Sequence, residues 1–345
     1  MFRIEKPTDD DLAFFHENGY VAFPAVLTEE GRQGLMDDIL GSAPVVEFLS
    51  KTEEERSAQD KPHRLSVVPW NDKGPFADRL FDAPLALALL RATIGEGFHF
   101  CHSELRVSMR GSRGLTFHQD NLPLDPAEQH KWYVQMLYYP NGFERGDASL
   151  WVIPGSHRIY DWGDPSPYDH FPVKWDVEVT AEMLTERYGD QVGGVLQAEE
   201  LALPPGSLVF LNGRMFHAVS SKLLDSPREM RLMVNYLYKE PGDPHRFTQA
   251  IPPEWLDRAS PERRRMFLRE ASAWREDACS MSVARPSGRA YSGFRSNEKS
   301  VLNFRPISIG FLSLPILIRA KTAVGNVSQP LPDGRATDTE MPEDD

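Results

Sequence analysis

From residue 98 to residue 238 the chain is a succession of short β-type runs separated by turn residues, and this pattern constrains the fold more than any other feature. The runs cover 98–109, 115–119, 131–139, 148–153, 195–202, 207–211, 214–220 and 229–238. Between them lie Gly111, Pro140-Asn141-Gly142, Pro154-Gly155, Pro204-Pro205-Gly206, Asn212-Gly213 and Ser226-Pro227. Glycine supplies positive φ and proline presets φ, so such clusters punctuate strands. Many short strands with Gly/Pro turns predict a sandwich or barrel. Eight of them flanked by helices predict a mainly β jelly roll.

The flanks read as helical. Thr8-Asp9-Asp10-Asp11 has the form of a capping box; Leu12, Phe14 and Phe15 follow and Gly19 closes the helix. Residues 20–24 read as a short strand. Thr28 caps a second helix to about Leu40, with Leu35, Met36, Ile39 and Leu40 as its apolar stripe. The polar stretch 41–75 reads as an irregular loop over the site. Residues 84–93 open with Pro84 and are followed by Gly95, the expected asymmetry of a helix. Ser260-Pro261-Glu262 opens a helix over 261–277. The expectation is one domain over 1–284: a helical part 8–95, a jelly-roll core about 98–240 and that C-terminal helix. Residues 285–345 read as an irregular extension, with the acidic end 330–345 disordered.

The 345 residues are 41% apolar, enough for one full-sized core. The net charge of −13 argues against nucleic acid as the main partner, because phosphate binding needs clustered Lys and Arg. The dense basic run Arg263-Arg264-Arg265 sits beside Glu262, Glu270 and Glu276 and reads as a solvated helix face. Cys101 and Cys279 form no CxxC pattern and read as small apolar residues. The first residues carry no apolar signal-peptide region, and no run approaches the ~20 apolar residues that span a bilayer. The reading is a cytoplasmic protein with no membrane partner.

His118 and Asp120 carry the chemistry. Side chains alternate faces along a strand, so residues two apart share one. An imidazole and a carboxylate on one face, joined by a second histidine, form the three-ligand set of non-haem Fe(II) oxygenases. His102/Glu104 has the same spacing but no matching distal hairpin, and reads as a strand pair. Three segments support His118. Leu150-Trp151-Val152-Ile153-Pro154-Gly155-Ser156-His157 is a strand running into a tight turn, where His157 reads as structural. Pro205-Gly206-Ser207 leads through Asn212-Gly213 to Arg214-Met215-Phe216-His217, a hairpin delivering His217. Arg228 to Tyr236 is a strand with arginines at its start.

In these segments the chain resembles the phytanoyl-CoA dioxygenase (PhyH) family of Fe(II)/2-oxoglutarate-dependent oxygenases. The resemblance covers Phe14-Phe15-His16-Glu17-Asn18-Gly19-Tyr20-Val21, His118-Gln119-Asp120, Ile153-Pro154-Gly155-Ser156-His157, the Gly206-Ser207 to His217 hairpin and the Arg231 strand, in the family's order. It implies a cupin-like double-stranded β-helix, Fe(II), and 2-oxoglutarate and O2 as co-substrates. His118, Asp120 and His217 match the metal ligands. Arg231 matches the arginine that binds the far carboxylate of 2-oxoglutarate, with Arg228 as the alternative. Arg231 lies 14 residues past His217 where 11 is usual, so 221–227 reads as a lengthened loop. Val219 stands where relatives carry a hydroxyl residue. A planar guanidinium suits a carboxylate in a dry pocket better than lysine. Gln135 inside an apolar strand suggests a polar contact within the barrel, and Trp132 and Trp151 are candidates for the substrate pocket. The segments 41–75, 121–130 and 158–190 are candidate substrate walls. The resemblance implies a dioxygenase, most simply a hydroxylase of a small molecule, releasing succinate and CO2. Two other readings stand beside it: a jelly-roll metalloenzyme without 2-oxoglutarate, and a non-catalytic binding module, against which an intact His/Asp/His set counts.

Overall fold

The computed structural model describes residues 1–120, 131–159, 179–242 and 248–267. Among them run the strands β1 (Tyr20–Phe23), β2 (Arg64–Val67), β3 (His99–Met109), β4 (Leu115–His118), β5 (Tyr133–Tyr139), β6 (Leu150–Val152), β7 (Glu199–Glu200), β8 (Ser207–Asn212), β9 (His217–Val219) and β10 (Met230–Lys239). The helices are α1 (Asp9–Asn18), α2 (Glu29–Leu40), α3 (Ala43–Ser50), α4 (Glu53–Ser57), α5 (Pro75–Asp78), α6 (Pro84–Thr93), α7 (Ala181–Val192), α8 (Pro253–Arg258) and α9 (Pro261–Phe267). Two antiparallel sheets, of order β1-β8-β5-β10-β3-β2 and β4-β9-β6-β7, make the expected jelly roll.

Alternation along the strands divides the core in two. On the outer face of the large sheet, Val21, Phe23, Leu105, Val107, Val134, Met136, Tyr138, Phe210, Val234 and Tyr236 pack against the helices. Here Phe81 meets Phe100, Tyr236, Trp255 and Phe267 with ring centroids 4.7–5.5 Å apart. On the inner face, Tyr20, Leu137, Tyr139, Val209, Leu211 and Met233 meet Leu150 and Val152 of the small sheet. Each fully buried side chain of this size contributes about 1.5–3 kcal/mol.

Local chemistry sets the helix ends. Thr8 and Asp11 form the reciprocal capping box of α1, and Gly19 ends it at φ 82°. An L-residue there would be strained, and its Cβ would lie 2.4 Å from His157 Nδ1. Gly155 N donates to Asn18 O at 3.0 Å, so the helix end and the Pro-Gly turn are packed as one unit.

One segment differs from the sequence expectation, and a second gains a helix that the sequence reading did not include. Residues 41–75 are not an irregular loop: α3, α4 and β2 lie within them. Ser42 and an early proline start α3, which buries Val45 and Phe48. β2 adds to the edge of β3 through Arg64↔Ser108 to Val67↔Leu105. Within 158–190, α7 starts at a Thr180 cap and buries Leu184, Tyr188 and Val192 on one stripe. The run 214–220 shortens to β9 because Arg214 N and Met215 N donate to Asn212 and complete the turn. The expected helix 261–277 is described to Phe267. Residues 121–130, 160–178 of the candidate wall 158–190, 268–277 of the expected helix, Cys279 and 285–345 lie outside the described residues. Among the described residues no helix is long and apolar enough to cross a membrane.

Candidate metal centre

His118 ends β4, and its direct cross-strand partner is His217, the first residue of β9. The ring centroids are 4.3 Å apart. Asp120 follows on the same side, its backbone N–H donating to Gly213 O at 2.9 Å. Asp120 Oδ2 lies 3.3 Å from His217 Nε2, and Oδ1 lies 3.7 Å from His118 Nε2. One ligating atom from each residue falls within 4.8 Å of the others.

The outer contacts orient these donors. His118 Nδ1 donates to Thr116 O at 2.8 Å and His217 Nδ1 to Met215 O at 3.1 Å. With the proton held at Nδ1, each ring presents its Nε2 lone pair inward. Burial and the neighbouring His217 push the His118 pKa down to about 4, so the ring is neutral at pH 7. Burial alone would raise the Asp120 carboxyl, but His118 and the hydrogen bond and charge of His217 hold it well below the usual range. Two imidazoles and one carboxylate match a divalent cation with open positions.

Gln135, on the inner face of β5, donates through Nε2 to Asp120 Oδ2 at 2.9 Å and accepts from Asn235 Nδ2 at 2.6 Å. It holds the carboxylate in place.

Arg231 is the second residue of β10 and is buried. Its Nη2 donates to Ser108 Oγ at 3.4 Å, its guanidinium lies 5.6 Å from the Tyr139 ring, and its Nε is buried without a partner. It makes no ion pair with the described residues, whereas Arg228, half-exposed in the preceding turn, lies 3.3 Å from Glu144 and 3.8 Å from Asp147. The lengthened loop is a folded plug. Lys222, buried, pairs with Asp147 and donates to Ser226 Oγ at 2.8 Å. The plug carries the strand start to Met230, which turns Arg231 inward. Ser108 places a hydroxyl beside Arg231.

Other candidates lie elsewhere. Trp132 precedes β5 on the outer face, its ring tilted against Phe15 with centroids 5.9 Å apart and the Arg214 guanidinium 5.8 Å away. Trp151 alternates with Leu150 and Val152, which fill the space between the sheets, so it faces away from that space. Neither tryptophan is on the face that carries the ligands. His157 is buried against Gly19, with Nε2 donating to His16 O at 3.2 Å. His102 and Glu104 share the inner face of β3 with Arg106, whose Nε donates to Glu104 Oε1. The sequence reading missed Arg64. On β2 it stands opposite Ser108, which is itself opposite Arg231. The alternation Arg64/Ser66 against Leu65/Val67 was the available signal, too short to separate from a polar loop.

Fold and donor set together define a jelly-roll protein with a 2-His-1-carboxylate centre. Among solved structures, the chain is similar to the non-heme α-ketoglutarate-dependent epimerase SnoN from nogalamycin biosynthesis. The identity is 17%, over 67% of this chain and 82% of that one, with a TM-score of 0.50. It is also similar to the carbocyclase SnoK of the same biosynthesis (17% identity, 75% and 93% covered, TM-score 0.49) and to HygX from Streptomyces hygroscopicus with nickel and 2-oxoglutarate bound (15%, 68% and 87%, 0.46). At such identity the SnoN likeness shows the fold alone. No curated protein matches the sequence. Residues 15–230 match the phytanoyl-CoA dioxygenase (PhyH) model, and the chain belongs to that family.

Proposed function

We propose that the protein is an Fe(II)- and 2-oxoglutarate-dependent oxidoreductase acting on a small organic molecule, with hydroxylation as its reaction. The observation that carries this is a pair of features, one on each of the two facing sheets: a His118/Asp120/His217 donor set with both Nε2 atoms inward, and a buried Arg231 on the inner face of β10 with no carboxylate of its own. The first fits a divalent metal. The second fits the far carboxylate of a keto diacid, which a guanidinium binds through two parallel hydrogen bonds. An unmatched cation in a protein interior is costly, so Arg231 calls for an anion. The solved HygX structures with 2-oxoglutarate and the SnoN complex with Fe3+ and α-ketoglutarate agree with this choice.

Bound iron and 2-oxoglutarate would supply the oxidising chemistry, consuming O2, releasing succinate and CO2 and oxidising a substrate C–H bond. The chain's own residues bind and orient. Thr116 O and Met215 O fix the ring tautomers; Asp120 supplies the negative charge; Gln135 and Asn235 hold Asp120. Arg231, steadied by Ser108 and Tyr139, sets how deep the co-substrate sits. Leu137, Val209, Met233 and Val152 keep water from the space between the sheets.

Anaerobic titration of the apoprotein with Fe(II) and then 2-oxoglutarate tests this. A saturable visible charge-transfer band, absent in His217→Ala, is expected. Iron binding without a band would favour a jelly-roll metalloenzyme that does not use 2-oxoglutarate, and no iron binding would favour a non-catalytic module. Gain of one oxygen atom in the product would separate hydroxylation from epimerisation or ring closure.

A further inference from the structure

Arg64 is a second cation on the inner surface that the proposed chemistry leaves unused. Residues paired in register share a face. Arg64↔Ser108 on one side of β3 and Arg231↔Ser108 on the other therefore put both arginines on the surface that carries Arg106 and Glu104. Adjacent strands lie about 4.8 Å apart, so the two Cα atoms stand roughly 10 Å apart. The Arg64 guanidinium is half-buried and makes no hydrogen bond or ion pair with the described residues. Burial, with Arg106 and Arg231 nearby, pulls its pKa down to about 10.

The charges of this surface single it out. Glu104 offsets Arg106 in a direct pair. Under the proposed function, Asp120 and the two negative charges of 2-oxoglutarate offset a divalent metal and Arg231, and the two histidines bind the metal as neutral ligands, as coordination requires. Arg64 is the positive charge left over. Its place is also different: Arg231 is buried on the interior strand β10, whereas Arg64 is only half-buried on β2, the edge of the sheet.

We propose that Arg64 anchors an anionic group, a carboxylate or phosphate monoester, of the organic substrate. This rests on the proposed 2-oxoglutarate reading of the same site. A guanidinium recognises either oxyanion by bidentate hydrogen bonds and rejects the uncharged isostere. Once Arg231 takes both oxygens of the co-substrate carboxylate, Arg64 is free for the substrate.

The test uses the anaerobic protein loaded with Fe(II) and 2-oxoglutarate and matched probes read by calorimetry: benzoate, phenylacetate, hexanoate and phenyl phosphate against benzamide, phenylacetamide, hexanamide and phenol. At least one acid should bind roughly tenfold or more tightly than its neutral partner. Arg64→Gln should weaken that acid roughly ten- to hundred-fold, leave the neutral probe unchanged and leave the 2-oxoglutarate band in place. Arg64→Lys should keep part of the preference, which guards against a folding defect in the glutamine variant. Whether a carboxylate or the phosphate binds best assigns the anion. Equal binding of acids and neutral probes, or binding of none, overturns the proposal. So does an Arg64→Gln variant that shifts the 2-oxoglutarate midpoint as far as Arg231→Gln does, for Arg64 would then belong to the co-substrate clamp. Absence of the band in the wild type removes the co-substrate reading and this inference with it. A normal band without acid preference removes only the inference.

Discussion

Gln135 Nε2 donates to Asp120 Oδ2 at 2.9 Å, while its own carbonyl is fixed by Asn235. The relationship joins the large sheet to the ligand set of the small one. It fixes which Asp120 oxygen is held back by the protein and which is turned outward. Gln135→Leu removes the donor at similar volume. Loss of such an outer contact typically costs 10–100-fold in metal affinity, so Fe(II) binding is expected to weaken roughly that much. Unchanged Fe(II) affinity with weakened 2-oxoglutarate binding would instead put Gln135 on the co-substrate.

Arg231 and Arg228 separate by burial and pairing. Arg228 already has Glu144 and Asp147; Arg231 has Ser108 and Tyr139 and no acid. Arg231→Gln is therefore expected to weaken 2-oxoglutarate binding by roughly two orders of magnitude while Fe(II) affinity holds, because a buried charged hydrogen bond contributes about 2–5 kcal/mol. Arg228→Gln should leave the titration midpoint within experimental error. The reverse result would exchange the two roles.

Much of this was legible from residue order. Gly and Pro clusters marked the ends of most strands, and the spacing of His118 and Asp120 announced a shared side. Their meeting with His217 depends on pairing β4 with β9 across about a hundred residues, a contact that only the resemblance to a family anticipated. What stayed hidden had weak local signals. β2 is four residues at a sheet edge, too short for a period, so Arg64 was invisible. α7 did carry its signal, a Thr180 cap, Leu184/Tyr188/Val192 at fourfold spacing and a closing Gly193, but its sequence neighbourhood is polar. Trp132 and Trp151 mislead because aromatic residues fit either face of a strand, and only the neighbours' burial tells which.

The loop before β10 is held by a buried ion pair rather than by apolar packing. Lys222 and Asp147 are almost wholly enclosed, and Ser226 bridges them. Lys222→Met leaves the buried Asp147 carboxylate with only the more distant Arg228, 3.8 Å away, as a cation, a change expected to cost about 3 kcal/mol, the lower end for breaking a buried pair. Chemical denaturation should register that loss. Adding Asp147→Leu should recover much of it, since an apolar pair of similar volume avoids the unpaired charge. A single variant as stable as wild type would mean that water reaches the pair.

Acidification should destabilise the apoprotein through His157, which is not one of the three candidate ligands. His157 is buried, its Nε2 proton goes to His16 O, and its Nδ1 has no partner to share a second proton. Burial pushes its pKa down to about 4, against the ordinary 6.5 that the unfolded chain regains. Between these two values the unfolded state binds a proton that the folded state refuses. Stability contributed by the neutral ring is thus present above pH 6.5 and is lost as pH falls towards 4, at up to about 1.4 kcal/mol per pH unit. Below pH 4 both states are protonated and this slope disappears. Urea unfolding of the apoprotein at a series of pH values should show the decline. His157→Asn should be less stable at pH 7, since the ring fills the space beside Gly19, yet decline less steeply. Part of the slope will survive, because His102 is also buried with its pKa pushed down to about 4. An identical slope in wild type and His157→Asn would show that the ring is protonated in the folded protein.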